Sequence, residues 1–192
     1  MEYLEIIGTI VGLIYLWLEY HASIYLWIAS IIMPLIYIFI YYDAGLYADM
    51  GISIYFVLAS FYGIYCWLQG NTRSVKGTPS NKLKISFTPS WLIAPLSIIT
   101  TILTISIAYI LITFTDSTVP WCDSFTTALS IIAMWMMARK YIEQWWIWII
   151  VDIASAALYV YKDLDFTAAL YALYAIIAYF GYKKWKNLMI TE

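Results

Sequence analysis

Charge is scarce in this chain. Only 11% of its 192 residues are Asp, Glu, Lys or Arg, against roughly 25% in an ordinary soluble domain. With 64% hydrophobic residues and a mean hydropathy of +0.80, it has no way to fold in water without large exposed apolar patches. Composition therefore excludes an ordinary soluble domain and indicates an integral membrane protein. Histidine is nearly absent, His21 being the single copy. No Gly-x-Ser-x-Gly, phosphate-binding loop or His-Glu-x-x-His occurs, and no nucleophile–base pair is apparent at membrane depth. The chain is read as not an enzyme, with no cofactor and no metal, and it is too short to carry its own ATPase. Lys183, Lys184 and Lys186 cluster at the inner end of the last apolar stretch, so a retinal-type Schiff base deep in that stretch is excluded. No basic patch suited to nucleic acid is visible outside the loops. The two cysteines, Cys66 and Cys122, fall at opposite ends of apolar stretches and read as small fillers. The N-terminal Met1-Glu2-Tyr3-Leu4-Glu5 is acidic where a signal peptide would be basic, so the first apolar stretch is expected to be retained as a helix.

Long apolar runs and aromatic residues are abundant instead. A helix needs about 20 apolar residues to cross the hydrocarbon core. Seven stretches qualify or nearly so: 3–20, 24–42, 46–69, 91–115, 122–138, 144–161 and 164–186. The chain is also self-similar at an offset of 118 residues. Trp17 recurs as Trp135, Trp27 as Trp145, Tyr41 as Tyr159, Leu46 as Leu164, Gly63 as Gly181 and Trp67 as Trp185. The pairs Phe56/Tyr174, Phe61/Tyr179 and Tyr62/Phe180 keep the same offset without a gap. The expected fold is an all-α membrane protein of seven transmembrane helices in a 3+1+3 repeat. Residues 1–70 form the first three-helix repeat, 71–90 a cytoplasmic loop, 91–115 a linker helix and 116–192 the second repeat. Four crossings separate each element from its copy, so the repeat is parallel. A duplicated membrane domain usually builds a pathway between its halves, which points to transport.

Orientation follows from Lys and Arg. Arg73, Lys76, Lys82, Lys84, Arg139, Lys140, Lys183, Lys184 and Lys186 fall on one side, and only Lys162 on the other. The positive-inside rule places the N-terminus outside and the C-terminus in the cytoplasm. The outer side gathers Glu2, Glu5, Asp43, Asp49, Asp116, Asp123, Asp163 and Asp165. These acids either concentrate a cationic solute or simply fill loops that basic residues avoid.

The sixth stretch holds the leading candidate site. Trp145, Trp148, Asp152, Ser155 and Tyr159 are spaced by three or four and share one helical face. Asp152 lies eight residues past Gln144, about 12 Å along the helix and near the bilayer centre. A carboxylate there costs at least ~2.5 kcal/mol to insert, so it faces the bundle interior with a partner. Two indoles one turn away offer flat faces to a heteroaromatic ring or a cation. The alternative is a structural Asp bonded within the bundle. Trp146, Trp67, Trp185, Trp91 and Trp121 sit near span ends and read as an aromatic belt. Further candidates are Glu19, which either joins the site or snorkels to the interface, and Pro34, the counterpart of Asp152, where a broken helix would free carbonyls. Tyr55, Tyr62 and Gln69 share a face of the third stretch. Thr127 and Ser130, one turn apart in the fifth, are placed to hydrogen-bond a solute or a neighbouring helix.

These residues also carry a resemblance. Asp123-Ser124-Phe125-Thr126-Thr127-Ala128-Leu129-Ser130, Ala138-Arg139-Lys140-Tyr141-Ile142-Glu143, the Trp145-x-x-Trp148 pair, Leu158-Tyr159-x-Tyr161-Lys162 and Gly181-Tyr182-x-x-Trp185 together resemble the PnuC family of bacterial B-vitamin transporters. Gly45-Leu46-Tyr47-Ala48-Asp49 and Tyr62-Gly63 extend it to the first half. The resemblance implies the same 3+1+3 fold, shared with SWEET-type sugar transporters. It implies facilitated diffusion of an unphosphorylated vitamin across the plasma (inner) membrane, without ATP or ion coupling, and trapping by a cytoplasmic vitamin kinase. Two halves rocking around the site would alternate access. Trp145 and Trp148 match the tryptophans that stack on the vitamin ring in that family. Cargoes there include nicotinamide riboside, thiamine, riboflavin and deoxynucleosides. Many nicotinamide riboside members carry Asn in place of Asp152 and Gln in place of Met134. The extra carboxylate favours thiamine, a thiazolium with an aminopyrimidine, and keeps nicotinamide riboside as the alternative. The other class of reading is a non-transporting scaffold or receptor. Monomer and homo-oligomer remain equally open.

Overall fold

The computed structural model describes residues 2–43, 47–69, 83–115, 117–161, 163 and 165–191. Gly45, Leu46, Arg73, Lys76, Lys82, Asp116, Lys162 and Leu164 lie outside the described residues, as does residue 70–82 of the expected loop. The helices are α1 (Glu2–Tyr20), α2 (Leu26–Asp43), α3 (Tyr47–Gln69), α4 (Ser90–Phe114), α5 (Pro120–Ala138), α6 (Gln144–Tyr161) and α7 (Asp165–Thr191). Among the described residues no strand is present beyond one isolated bridge, Ser86 with Tyr141. Helices suit this chain because they satisfy every backbone N–H and C=O internally, which a lipid environment demands. Stretches Met50–Gln69, Ser90–Phe114 and Gln144–Tyr161 are long and apolar enough to cross a membrane, and Val11–Tyr20 and Leu26–Phe39 are shorter apolar helices.

Two compact units emerge. The first comprises Met1–Ile85, Ala138–Lys140 and Lys184–Glu192; the second comprises Ser86–Met137 and Tyr141–Lys183. In the first, α1 packs on α2 and α2 on α3. Pro34 sits inside α2, which continues through it, so the expected break is not there. Ser60 Oγ of α3 donates to Ser30 Oγ at 3.0 Å, tying α2 to α3 in a buried setting. The first unit also holds an aromatic cluster. Trp27 meets Trp67 edge-on at 5.6 Å. Trp67 meets Trp185 at 6.4 Å, and Lys140 Nζ lies 4.5 Å over the Trp67 ring. Trp185 Nε1 donates to the Glu19 carbonyl at 2.9 Å. Trp67 and Trp185 are thus buried, not belt residues, because each has an aromatic or backbone partner to cover it. Trp91 and Trp121 stay exposed.

In the second unit, Ile132, Met136 and Tyr141 form a core against Leu92, Leu96, Leu103, Trp135 and Ile147. Helix α4 is the most apolar of the spanning stretches, and of its residues only Ala108 is buried. Its hydroxyls are satisfied internally: Ser97, Thr100, Thr101 and Thr104 each donate to the carbonyl four residues back. That back-bonding removes the cost of facing lipid with a polar side chain.

The offset of 118 is written into the backbone. Ala22 and Lys140 both adopt positive φ, at 48° and 54°. The bonds Ser23 N–Leu18 O, Leu26 N–Ser23 O, Trp27 N–Ile24 O, Ile28 N–Tyr25 O and Ala29 N–Tyr25 O recur as Tyr141 N–Met136 O, Gln144 N–Tyr141 O, Trp145 N–Ile142 O, Trp146 N–Glu143 O and Ile147 N–Glu143 O. The α1–α2 and α5–α6 turns therefore share one hydrogen-bonding scheme. The glycines obey the same rule. A Cβ at Gly63 would collide with the Trp27 ring, and one at Gly181 would lie 2.5 Å from the Trp145 ring. Only glycine lets each indole lie against the neighbouring helix.

Candidate functional site

The second unit brings together part of the expected constellation. Asp152 on α6 is buried, with 7% of its surface exposed. The hydroxyls of Tyr171 and Tyr174 on α7 lie close enough to interact electrostatically with its carboxylate. The rings of Tyr159 and Tyr171 lie 5.2 Å apart. Tyr171 in turn meets Tyr174 at 5.7 Å. The result is a carboxylate beside a row of phenols, on the α6 face that also carries Trp148.

Trp148 is half-buried, and its indole Nε1 is buried with no hydrogen-bond partner among the described residues. Trp145 differs. It is 0% exposed and pressed against Gly181 of α7. Its ring has no open face in this conformation, so it fixes the α6–α7 contact one turn from Trp148. Trp146 is exposed and rests on Tyr182, 5.1 Å between ring centres.

The other expected residues sit on other helices. Ser130 donates to the Thr126 carbonyl on its own helix at 2.8 Å, and Thr127 is half-buried on α5. Tyr55, Tyr62, Pro34 and Glu19 belong to the first unit. Tyr62 accepts from Arg139 at 3.4 Å. Glu19 is 1% exposed, so it does not snorkel; its turn is closed over by Trp185.

Sequence reasoning missed three residues. Tyr171 had no counterpart signal, since residue 53 at the offset is a serine. Glu143 and Thr88 were hidden because their contact spans 55 residues. Glu143 Oε2 accepts from Thr88 N at 2.9 Å and from Thr88 Oγ1 at 2.6 Å. Alongside, Ile142 N donates to Ser86 O at 3.0 Å. This strap fastens the segment entering α4 to the turn entering α6. Charge-assisted bonds of this length are the stronger kind, so the start of the site helix is held firmly.

Comparison with known proteins gives a consistent pattern. A family model described as nicotinamide mononucleotide transporter matches residues 2–187. The nicotinamide riboside transporter PnuC of Escherichia coli is 24% identical over 211 residues, covering 97% of this chain and 86% of that protein. The riboflavin/roseoflavin transporter RibM of Streptomyces davaonensis is 24% identical over 182 residues, covering 94% and 83%. A crystal structure of the vitamin B3 transporter PnuC is similar in fold, with a TM-score of 0.70 at 21% identity over 95% of this chain and 80% of that one.

Proposed function

The chain belongs to the nicotinamide mononucleotide transporter family, and from that premise we propose that it carries nicotinamide riboside, an unphosphorylated vitamin B3 nucleoside, across the membrane. The coarser statement is secure: this is a multi-pass membrane protein of a vitamin-transporter family and not an enzyme. The observation that carries the finer one is the match along nearly the whole chain to a relative named as a nicotinamide riboside transporter.

The site chemistry supports the assignment. Nicotinamide riboside combines a flat pyridinium cation with ribose hydroxyls. Asp152 supplies the countercharge and Trp148 a flat face, an arrangement that favours a cationic ring once water is excluded. Tyr159, Tyr171 and Tyr174 supply donors and acceptors suited to hydroxyls. Thiamine gives way as first choice for two reasons. It was favoured by a carboxylate beside two indoles, and Trp145 is closed against Gly181. The relatives named above carry nicotinamide riboside and riboflavin.

The architecture we assign is seven crossings in a parallel 3+1+3 repeat, with the N-terminus outside. The recurring turn bonds at offset 118 support the duplication, and the Lys and Arg distribution supports the orientation. Movement is downhill, with a cytoplasmic kinase trapping the product.

Proteoliposomes test this reading. Saturable uptake of labelled nicotinamide riboside, without ATP or an ion gradient, is expected. Uptake of thiamine alone would restore the carboxylate-led assignment and overturn this one. Absence of uptake for every vitamin tried would favour a scaffold or receptor.

A further inference from the structure

A concavity lies in the second unit, on a face of α6 other than the one that carries Asp152. Its volume is about 480 Å³, and it is walled by Leu96, Leu129, Ile132, Met136 and Ile147, with Glu143 at its polar end. Glu143 and Ile147 are four residues apart, so they share a helix face. That face is distinct from the one that carries Trp148 and Asp152.

The groove has a depth. On α4 it runs from Thr88, just before the helix begins at Ser90, to Thr100. The ten steps from Ser90 to Thr100 rise about 15 Å, half of the ~30 Å hydrocarbon core. The groove is therefore about as long as one leaflet is thick. A partner helix would need a seam along the whole of α4, whereas one acyl chain needs a slot of this length.

The groove also has a polarity. Its polar oxygens at the shallow end are those of Thr88 and Glu143. Thr88 occupies one carboxylate oxygen of Glu143 through both its donors. Hydrogen bonding to neutral donors leaves the negative charge in place. Deeper down, Ser97 and Thr100 donate to their own helix and present little but carbon. An occupant must then be apolar for one leaflet and cationic at the interface. Anionic headgroups are disfavoured by like charge.

We propose that this groove is a structural lipid site, seating one acyl chain of a phospholipid whose headgroup carries a primary amine, with the ammonium on Glu143. The site is independent of which vitamin the protein carries, because its readout is lipid retention.

The full chain, purified in mild detergent and stripped of lipid, is mixed with phosphatidylethanolamine or phosphatidylglycerol of identical acyl chains. Native mass spectrometry and thermal midpoint are read. Retention of the ethanolamine lipid is expected at about threefold or more over the glycerol lipid, the size of a modest interfacial ion pair. Glu143→Gln keeps an acceptor for Thr88 and is expected to retain both lipids equally. Ile93→Trp, at an exposed α4 position lining the groove, is expected to lose both adducts while remaining folded by circular dichroism. Equal retention of the two lipids by the unaltered chain would overturn the proposal. So would persistence of the ethanolamine preference in Glu143→Gln, or a lipid-free oligomer that occupies the groove with a second copy.

Discussion

Replacing Gly181 by alanine tests how the site helix is held. The added Cβ would lie 2.5 Å from the Trp145 ring, and carbon atoms settle at about 3.5–4.0 Å. The indole or α7 must therefore shift by about 1 Å. Trp145 is fully buried, so the ring has no open space to swing into. Overpacking of this kind costs about 1–3 kcal/mol, and with no room for the ring the upper part of that range, about 2–3 kcal/mol, applies; alanine's better helix propensity offsets about 1 kcal/mol of it. A net loss of about 1–2 kcal/mol follows, or several degrees of midpoint at about 2–4 °C per kcal/mol for a chain of this size. Because Trp148 is one turn away, substrate affinity should fall as well. Gly63→Ala makes the matching collision with Trp27 and should lower the midpoint similarly. Position 30, the counterpart of 148, is a serine bonded to Ser60, so affinity should hold. Thermal unfolding in detergent and a binding titration read both effects. Gly181→Ala combined with Trp145→Phe should recover most of the stability, since the smaller ring leaves room. An unchanged midpoint and affinity in Gly181→Ala would refute the reasoning.

Other expectations are more direct. Trp148→Ala and Asp152→Ala should each weaken substrate binding by about tenfold or more, which is about 1.4 kcal/mol, while Trp146→Ala does little; equal small effects at all three positions by calorimetry would sink the assignment. Asp152→Asn separates charge from hydrogen bonding: loss of affinity for a cationic nucleoside but not for its neutral reduced form would identify charge as the operative feature. Glu143→Ala removes two hydrogen bonds to Thr88 and should cost about 2 kcal/mol or more, whereas Glu143→Gln should cost less than half as much; equal midpoints for the two would argue against the strap. Ser60→Ala should lower the midpoint by about 1 kcal/mol equivalent through loss of its bond to Ser30, with transport retained.

Much of the frame was legible because lipid imposes strict arithmetic. The sixth stretch was expected at 144–161 and α6 runs Gln144–Tyr161, since charged or polar residues bracket its apolar run. The burial of Asp152 followed from the cost of exposing a carboxylate to hydrocarbon. The 118 offset matched Gly63 with Gly181 and Trp27 with Trp145, and the fold sets each glycine against its tryptophan. What that spacing could not say is that the glycine lets the buried Trp145 ring lie against α7. Periodicity reports which side of a helix faces protein and not which neighbour it meets. That is why Tyr171 beside Asp152, and Thr88 beneath Glu143, emerged only from the fold. Trp67 and Trp185 were assigned to the belt for the same reason, and both are buried. A residue near a span end is assigned to the interface by default, and only the contact between distant segments reveals that it is covered.

We hold that the Asp152 and Trp148 face binds a cationic pyridine nucleoside. Titrating the detergent-purified protein with nicotinamide riboside and with thiamine, following intrinsic tryptophan fluorescence and checking by calorimetry, addresses it most directly. Saturable binding of nicotinamide riboside, abolished in Trp148→Ala and Asp152→Ala, is the expected result. Saturation by thiamine alone, or nicotinamide riboside binding indifferent to both substitutions, would contradict it.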